Sequence, residues 1–177
     1  MMSTLNKKKV LMIIAPKNFR DEEFLEPKDV LEKANVEVKV ASTTKGIAKG
    51  MLGANVDVET TVDEIDSADY DAVVVVGGSG SQTYLWDNQR VQEIVKEAES
   101  LGKTVSAICI SPVVLARAGL LSGKKVTVFR TNETISELKK AGASISGAPV
   151  EVDGKIITGR GPEAAKEFGR KILDSIR

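Results

Sequence analysis

The 177-residue chain contains no histidine. That absence excludes the Ser-His-Asp triad, the Cys-His dyad and the ordinary zinc sites, all of which need an imidazole. There is one cysteine, Cys109, so no disulfide can form within the chain, and the cysteine usage predicts an intracellular, cytoplasmic protein. Net charge is also missing: 25 basic residues balance 25 acidic ones. A neutral chain has no bulk electrostatic reason to seek nucleic acid or an anionic membrane, and neither is expected as a partner. Long apolar runs are absent as well. Residues 10–15 form an apolar run of six after three lysines, too short for a signal peptide and far short of the ~20 residues of a membrane span.

What is present suits one packed domain, residues 1–177, with residues 1–8 as a solvated tail. Apolar residues make up 42% of the chain. Its length is about that of one domain, enough to bury a core without metal or disulfide support. Residues 10–15 and 72–76 are continuous apolar runs, the signature of strands buried on both faces. Residues 36–41 alternate apolar and charged, which is strand period. Residues 24–34, 90–101, 112–118, 133–141 and 162–176 carry helical spacing. Further strands are expected at residues 104–108 and 126–128, with shorter pieces between 46 and 62. A hairpin is expected around Asp153-Gly154, whose two residues would supply the positive φ angles of the turn. Strands and helices alternate throughout, which predicts an α/β fold around a mostly parallel sheet.

Ligands of such a sheet sit beyond the carboxyl ends of its strands. Three loops are expected there: residues 16–26, 77–81 and 109–112. The last is the sharpest. Ala107-Ile-Cys109-Ile-Ser111 follows a buried strand, precedes a helix and places small residues two before and two after the cysteine. This is the steric form of a nucleophile elbow. The following helix would turn its N-terminus to the sulfur and lower the thiol pKa. The Ile110 N–H would face an oxyanion formed beside Cys109. In Gly77-Gly-Ser-Gly80 the spacing is poor for a dinucleotide, and the better reading is a close backbone approach with the Gly78 N–H as second donor. The loop at 16–26 is crowded with carboxylates. One of them would reach Cys109, but spacing does not choose among Asp21, Glu22, Glu23 and Glu26. No cofactor or metal is expected. Trp86 and Tyr84 are expected at the cleft edge, and Arg160 at a helix start or a contact between copies.

Taken together, these segments resemble the DJ-1/PfpI superfamily. The likeness runs through Lys9-Val-Leu-Met-Ile-Ile-Ala15, Glu23 four residues before Pro27, Asp71-Ala-Val-Val-Val-Val-Gly-Gly78, Ala107-Ile-Cys109-Ile-Ser-Pro112 and Gly159-Arg-Gly-Pro162. The resemblance implies a flavodoxin-like three-layer α/β sandwich and a homodimer or larger homo-oligomer. It implies Cys109 as reactive cysteine, Glu23 as its partner, and Gly78 and Ile110 as oxyanion donors. It also implies stress-protective chemistry of glyoxalase, deglycase or other hydrolase type on small carbonyl or acyl compounds. The alternative is a redox sensor or chaperone-like protein without turnover. Two departures weigh against an efficient cysteine peptidase or a glutamine amidotransferase. The position after the cysteine, a histidine in the peptidase branch, is Ile110. A second histidine position of the family falls at Phe129.

Overall fold

A computed structural model describes residues 7–177. The expected solvated tail lies outside the described residues for positions 1–6, while Lys7 and Lys8 are exposed. In chain order the strands and helices are β1 Lys9–Ile13, β2 Lys17–Phe19, α1 Asp21–Lys33, β3 Glu37–Ala41, β4 Gly46–Gly50, β5 Asn55–Val58 and β6 Ala72–Val75. They continue with α2 Ser79–Tyr84, α3 Gln89–Ser100, β7 Thr104–Ile108, α4 Pro112–Arg117, β8 Lys125–Val126 and α5 Asn132–Lys140. The chain ends with β9 Ser144–Ile145, β10 Val150–Asp153, β11 Ile156–Gly159 and α6 Ala165–Ile176.

Six strands form the central sheet in the order β10-β11-β7-β6-β1-β3. All neighbours are parallel except the β10–β11 hairpin at one edge. Numbered by chain position, the five parallel strands lie 2-1-3-4-5, the flavodoxin-like order, whose switch point falls beside the first strand. The continuous apolar runs are explained by two-sided burial. Along β1 and just past it, Leu11, Ile13 and Ala15 face one hydrophobic cluster, and Val10, Met12 and Ile14 face the other. Helices α3 and α4 pack on the first face, and α1 and α6 on the second. The result is a three-layer sandwich.

Several boundaries differ from the sequence expectation. Helix α1 begins at Asp21, three residues earlier than the apolar spacing indicated, because Asp21, Glu22 and Glu23 form an acidic first turn that suits the positive end of the helix. Its C-terminus is closed by Asn35 at φ 64°, one of the few residue types that tolerates the left-handed region. The strand expected at residues 126–128 is only β8, paired with β9 away from the main sheet. Beyond it, the Thr127 N–H donates to Thr158 Oγ1 and leaves strand geometry. In the β10–β11 turn only Gly154 has positive φ, since Asp153 still pairs with Ile156.

Helix α1 carries Pro27 in its interior, which removes the N–H that would bond the Glu23 carbonyl. Gly169 of α6 lies against it: a Cβ there would stand 2.8 Å from Pro27 Cα. Gly169→Ala is therefore expected to push α1 from α6. Overpacking costs about 1–3 kcal/mol, against a helix-propensity gain of up to ~1 kcal/mol. A urea midpoint unchanged or raised in Gly169→Ala would contradict this packing account.

Candidate functional site

Cys109 is the first residue after β7 and has φ 67°, a conformation that a non-glycine side chain adopts only when its surroundings hold it there. The surroundings do so at every point. The Cys109 N–H donates to the Gly159 carbonyl at 2.9 Å, and its carbonyl accepts from the Phe129 N–H at 2.8 Å. Ser111, the small residue two positions on, donates its hydroxyl to the Val76 carbonyl at 2.7 Å and shares a 2.7 Å hydroxyl contact with Ser81. Trp86 donates its indole N–H to the Ile110 carbonyl at 3.0 Å, with the Arg117 guanidinium 5.3 Å above the ring. The elbow is thus tied to both neighbouring strands and to the helices behind it.

Glu23 enters from the first turn of α1, not from a loop. Its side chain is fully buried, and neither carboxyl oxygen has a conventional hydrogen-bond partner among the described residues. The carboxyl faces the Cys109 sulfur, and Gly77 makes the meeting possible: a Cβ at Gly77 would collide with both Glu23 Oε1 and Cys109 Cβ. The other candidate carboxylates are committed elsewhere or left outside. Asp21 accepts the Leu52 and Ala54 N–H groups at 2.9 and 2.8 Å and so fastens the β4–β5 turn. Glu22 pairs with Arg20, and Glu26 is half-buried outside the cleft.

Gly78 and Ile110 both direct backbone N–H groups at the sulfur. Each donor is fixed through the other end of its own peptide plane. The Gly77 carbonyl accepts from the Arg20 N–H at 3.0 Å, so the trans peptide aims the Gly78 N–H the opposite way. The Cys109 carbonyl is held by Phe129, which does the same for Ile110. Gly78 sits at φ 103°, and a Cβ there would strike the backbone of Asn18 and Arg20.

The electrostatics differ from the sequence expectation of a lowered thiol pKa. Helix α4 has only six residues and begins with proline, so it offers the sulfur little. Burial raises the Glu23 carboxyl from 4.5 to about 8. Burial, followed by the charge of ionised Glu23, pushes the Cys109 thiol up to about 12, against the pull of the Gly78 and Ile110 N–H groups. Two negative charges are therefore excluded from the pair near neutrality. The first proton leaves Glu23. A thiolate forms when the thiol passes its proton to that carboxylate, and the Gly78 and Ile110 N–H groups then receive the charge.

Cys109, Glu23, Gly78 and Ile110, the four residues singled out in the sequence, line one cleft of about 290 Å³. Arg20, Met51, Gln82, Phe129, Thr131 and Pro162 complete much of its wall. Of these, Arg20 fell in the residue 16–26 loop expected at the site, Phe129 and Pro162 were marked by the family resemblance, and Met51 and Gln82 had no signal in the sequence. Trp86 is buried behind the elbow, not at the cleft edge, and Tyr84 packs on the core. Arg160 pairs with Glu163 and the Gly147 carbonyl, at the helix start. Among the described residues, no group of three or more His, Cys, Asp or Glu residues is placed to hold a metal, and no helix is long and apolar enough to cross a membrane.

A neutral buried carboxyl has a pH signature. The preference of the fold for protonated Glu23 is fully present below about 4.5 and is lost as pH rises through about 8. By pH 7 the loss is on the order of 3 kcal/mol. Glu23→Gln is expected to flatten stability against pH across that window and, by removing the carboxylate charge, to let the thiol titrate lower than in the wild type. Urea unfolding at several pH values and ultraviolet thiolate absorbance measure the two effects. Parallel stability curves, or an unmoved thiol, would show that the pair is not coupled.

Comparison with known proteins places this geometry in context. The model of the DJ-1/PfpI family matches residues 8–175. An uncharacterized protein of Methanocaldococcus jannaschii is 54% identical over 168 residues, 95% of this chain and 82% of that protein. A deglycase of Thermococcus kodakarensis is 32% identical over 167 residues, 94% of this chain and 99% of the relative. The crystal structure of a ThiJ/PfpI domain protein from Brachyspira murdochii superposes with a TM-score of 0.90 at 34% identity, covering 96% of each chain.

Proposed function

The chain belongs to the DJ-1/PfpI family, and from that premise we propose that it is a cysteine-dependent deglycase or glyoxalase-type enzyme acting on carbonyl compounds. The observation that carries the reading is the orphaned, fully buried carboxyl of Glu23 set against Cys109, with two fixed N–H donors beside the sulfur at the head of a cleft. The Thermococcus relative that bears the name deglycase gives the reading its substrate chemistry.

The singly ionised pair is the working form. The Glu23 carboxylate takes the thiol proton as Cys109 attacks the aldehyde carbon of a 2-oxoaldehyde and forms the S–C bond. The carbonyl π electrons move to oxygen, which takes the proton of Glu23, and the Gly78 and Ile110 N–H groups steady the developing charge. Glu23 is now a carboxylate and serves as base. It removes the C1 hydrogen as a proton, and reprotonation at C2 leaves a thioester. Water hydrolyses the thioester to the 2-hydroxy acid and regenerates the thiol. The sum is 2-oxoaldehyde plus water giving 2-hydroxy acid, with no external oxidant, cofactor or metal. For a glycated amine in its hemiaminal form, the C–N bond breaks as the S–C bond forms, Glu23 gives the thiol-derived proton to the departing amine, and the same hemithioacetal results.

No histidine supplies a second base, and Phe129 occupies the position where one would stand. That favours aldehyde chemistry over peptide hydrolysis, because a peptide carbonyl is a far weaker electrophile than an aldehyde and gains more from a second acid–base group. The reading includes a cytoplasmic, single-domain protein that works as a homo-oligomer.

Methylglyoxal supplied to the wild-type protein is expected to yield lactate. Cys109→Ala should abolish the yield, and Glu23→Gln should lower kcat/KM by ~10² to 10⁴-fold, the usual contribution of a positioned acid–base group. Equal lactate formation by wild type and Cys109→Ala overturns the proposal.

A further inference from the structure

Part of the cleft wall is apolar and partly open. Phe129 is 46% exposed and Met51 is 42% exposed, although both line the space above Cys109 together with Ile110 and Pro162. Large apolar side chains left this open at a cleft mouth are solvated only until something covers them. The Gly78 and Ile110 N–H groups meet the sulfur, and Arg20, Gln82 and Thr131 also line the cleft. Phe129 is also held in place. Its N–H is bonded to the Cys109 carbonyl, and its ring passes Gly161 closely enough that Cδ2 would lie 3.6 Å from a Cβ there. Met51 comes from the β4–β5 turn, whose N–H groups Asp21 fixes and whose Met51 N–H donates to the Phe19 carbonyl at 2.8 Å. The two side chains therefore stand on anchored backbone in the wall of the cleft that holds the cysteine. The cleft volume of about 290 Å³ equals that of about ten waters at ~30 Å³ each, so a three-carbon aldehyde would leave most of it wet.

We propose that Phe129 and Met51 are specificity-determining residues that seat an apolar, ring-sized substituent, so that the site takes carbonyl compounds bearing such a group ahead of small ones. The substituent lies between the ring and the thioether while the carbonyl oxygen points to the Gly78 and Ile110 N–H groups. An aromatic substituent gains from both walls, since thioether and ring are each favourable neighbours for a π face. The proposal takes its carbonyl chemistry from the reading above, but the apolar seat is a property of the cleft that can be measured without turnover.

Two measurements keep the two ideas apart. The first is protection of Cys109 from alkylation by iodoacetamide, using acetophenone and acetone as unreactive probes. Acetophenone is expected to protect at a concentration at least tenfold lower than acetone. Phe129→Ala keeps the backbone bond to Cys109 and should reduce that ratio at least fivefold, while Phe129→Leu, which restores an apolar wall, should recover much of it. Met51→Ser should lower it as well. Equal protection by the two ketones, or a ratio unmoved in Phe129→Ala and Met51→Ser, overturns the apolar seat.

The second is turnover of phenylglyoxal and methylglyoxal. In Phe129→Ala the kcat/KM for phenylglyoxal should fall about tenfold further than that for methylglyoxal. Equal losses count against the seat. Selective protection without turnover of either aldehyde overturns the enzyme reading and leaves the seat standing.

Discussion

A carboxyl group buried without a conventional partner is the constraint on which the rest of this structure depends. Glu23 could satisfy its oxygens in many ways on a surface, but inside the sandwich it meets only the Cys109 thiol. Leaving an ionised carboxylate there would cost several kcal/mol, so the group keeps its proton and becomes a donor. The local backbone is arranged to permit this. Gly77 has no side chain because Glu23 and Cys109 occupy the space it would need. Helix α1 starts at Asp21, which sets Glu23 in the first turn, beside the carboxyl ends of β1 and β6. The 2-1-3-4-5 strand order brings β7 and its elbow to the same edge.

Precision around the sulfur comes from peptide planes rather than from a helix dipole. Helix α4 has six residues and begins with proline, so its first residue offers no N–H to the sulfur. Two peptide groups do more, because each is held at its carbonyl by a neighbour and can turn its N–H nowhere but to the sulfur. The elbow's positive φ is maintained by the same bonds. Trp86 adds a brace from behind, and through Arg117 that brace reaches Glu137 and Asp87 at the surface. The donors are thus ordered before any carbonyl arrives, which is the condition under which such dipoles stabilise developing charge most effectively.

Much of this was legible in the sequence. The unbroken run at Val10–Ala15 and the valines before Gly77 identified two-sided strands, since only a sheet covered on both faces tolerates them. Ala107 and Ser111 around Cys109 identified the elbow by sterics alone. What stayed hidden depended on long-range contacts. Spacing gave no means of choosing among four acidic residues in six positions, and only the family resemblance pointed to Glu23; in the fold, Leu52, Ala54 and Arg20 engage Asp21 and Glu22. The same acidic run looked like a loop because periodicity registers apolar residues, while this helix opens with charge. Trp86 was misplaced for the opposite reason: an aromatic beside a polar segment suggests a cleft, but its indole N–H found a carbonyl in the interior. Met51 carried no signal, since a methionine in a turn joins the site only once Asp21 has folded that turn back.

The absence of histidine and the apolar wall belong to one electrostatic design. Where an imidazole can hold a proton at neutral pH, a carboxyl beside the cysteine is free to ionise. Here Glu23 must give a proton and later take one, so its pKa has to lie near the working pH. Burial is the main cause that moves it there, to about 8. Phe129, Ile110 and Pro162 help to maintain that burial, and Met51 narrows the opening through which water would restore an ordinary carboxylate. A substrate with an apolar substituent would close the cleft further, strengthening every interaction between the sulfur, the carboxyl and the two N–H groups as water leaves. The same side chains that select the substituent would then tune the acid, which makes Phe129 a natural occupant of a position where a base would otherwise be expected.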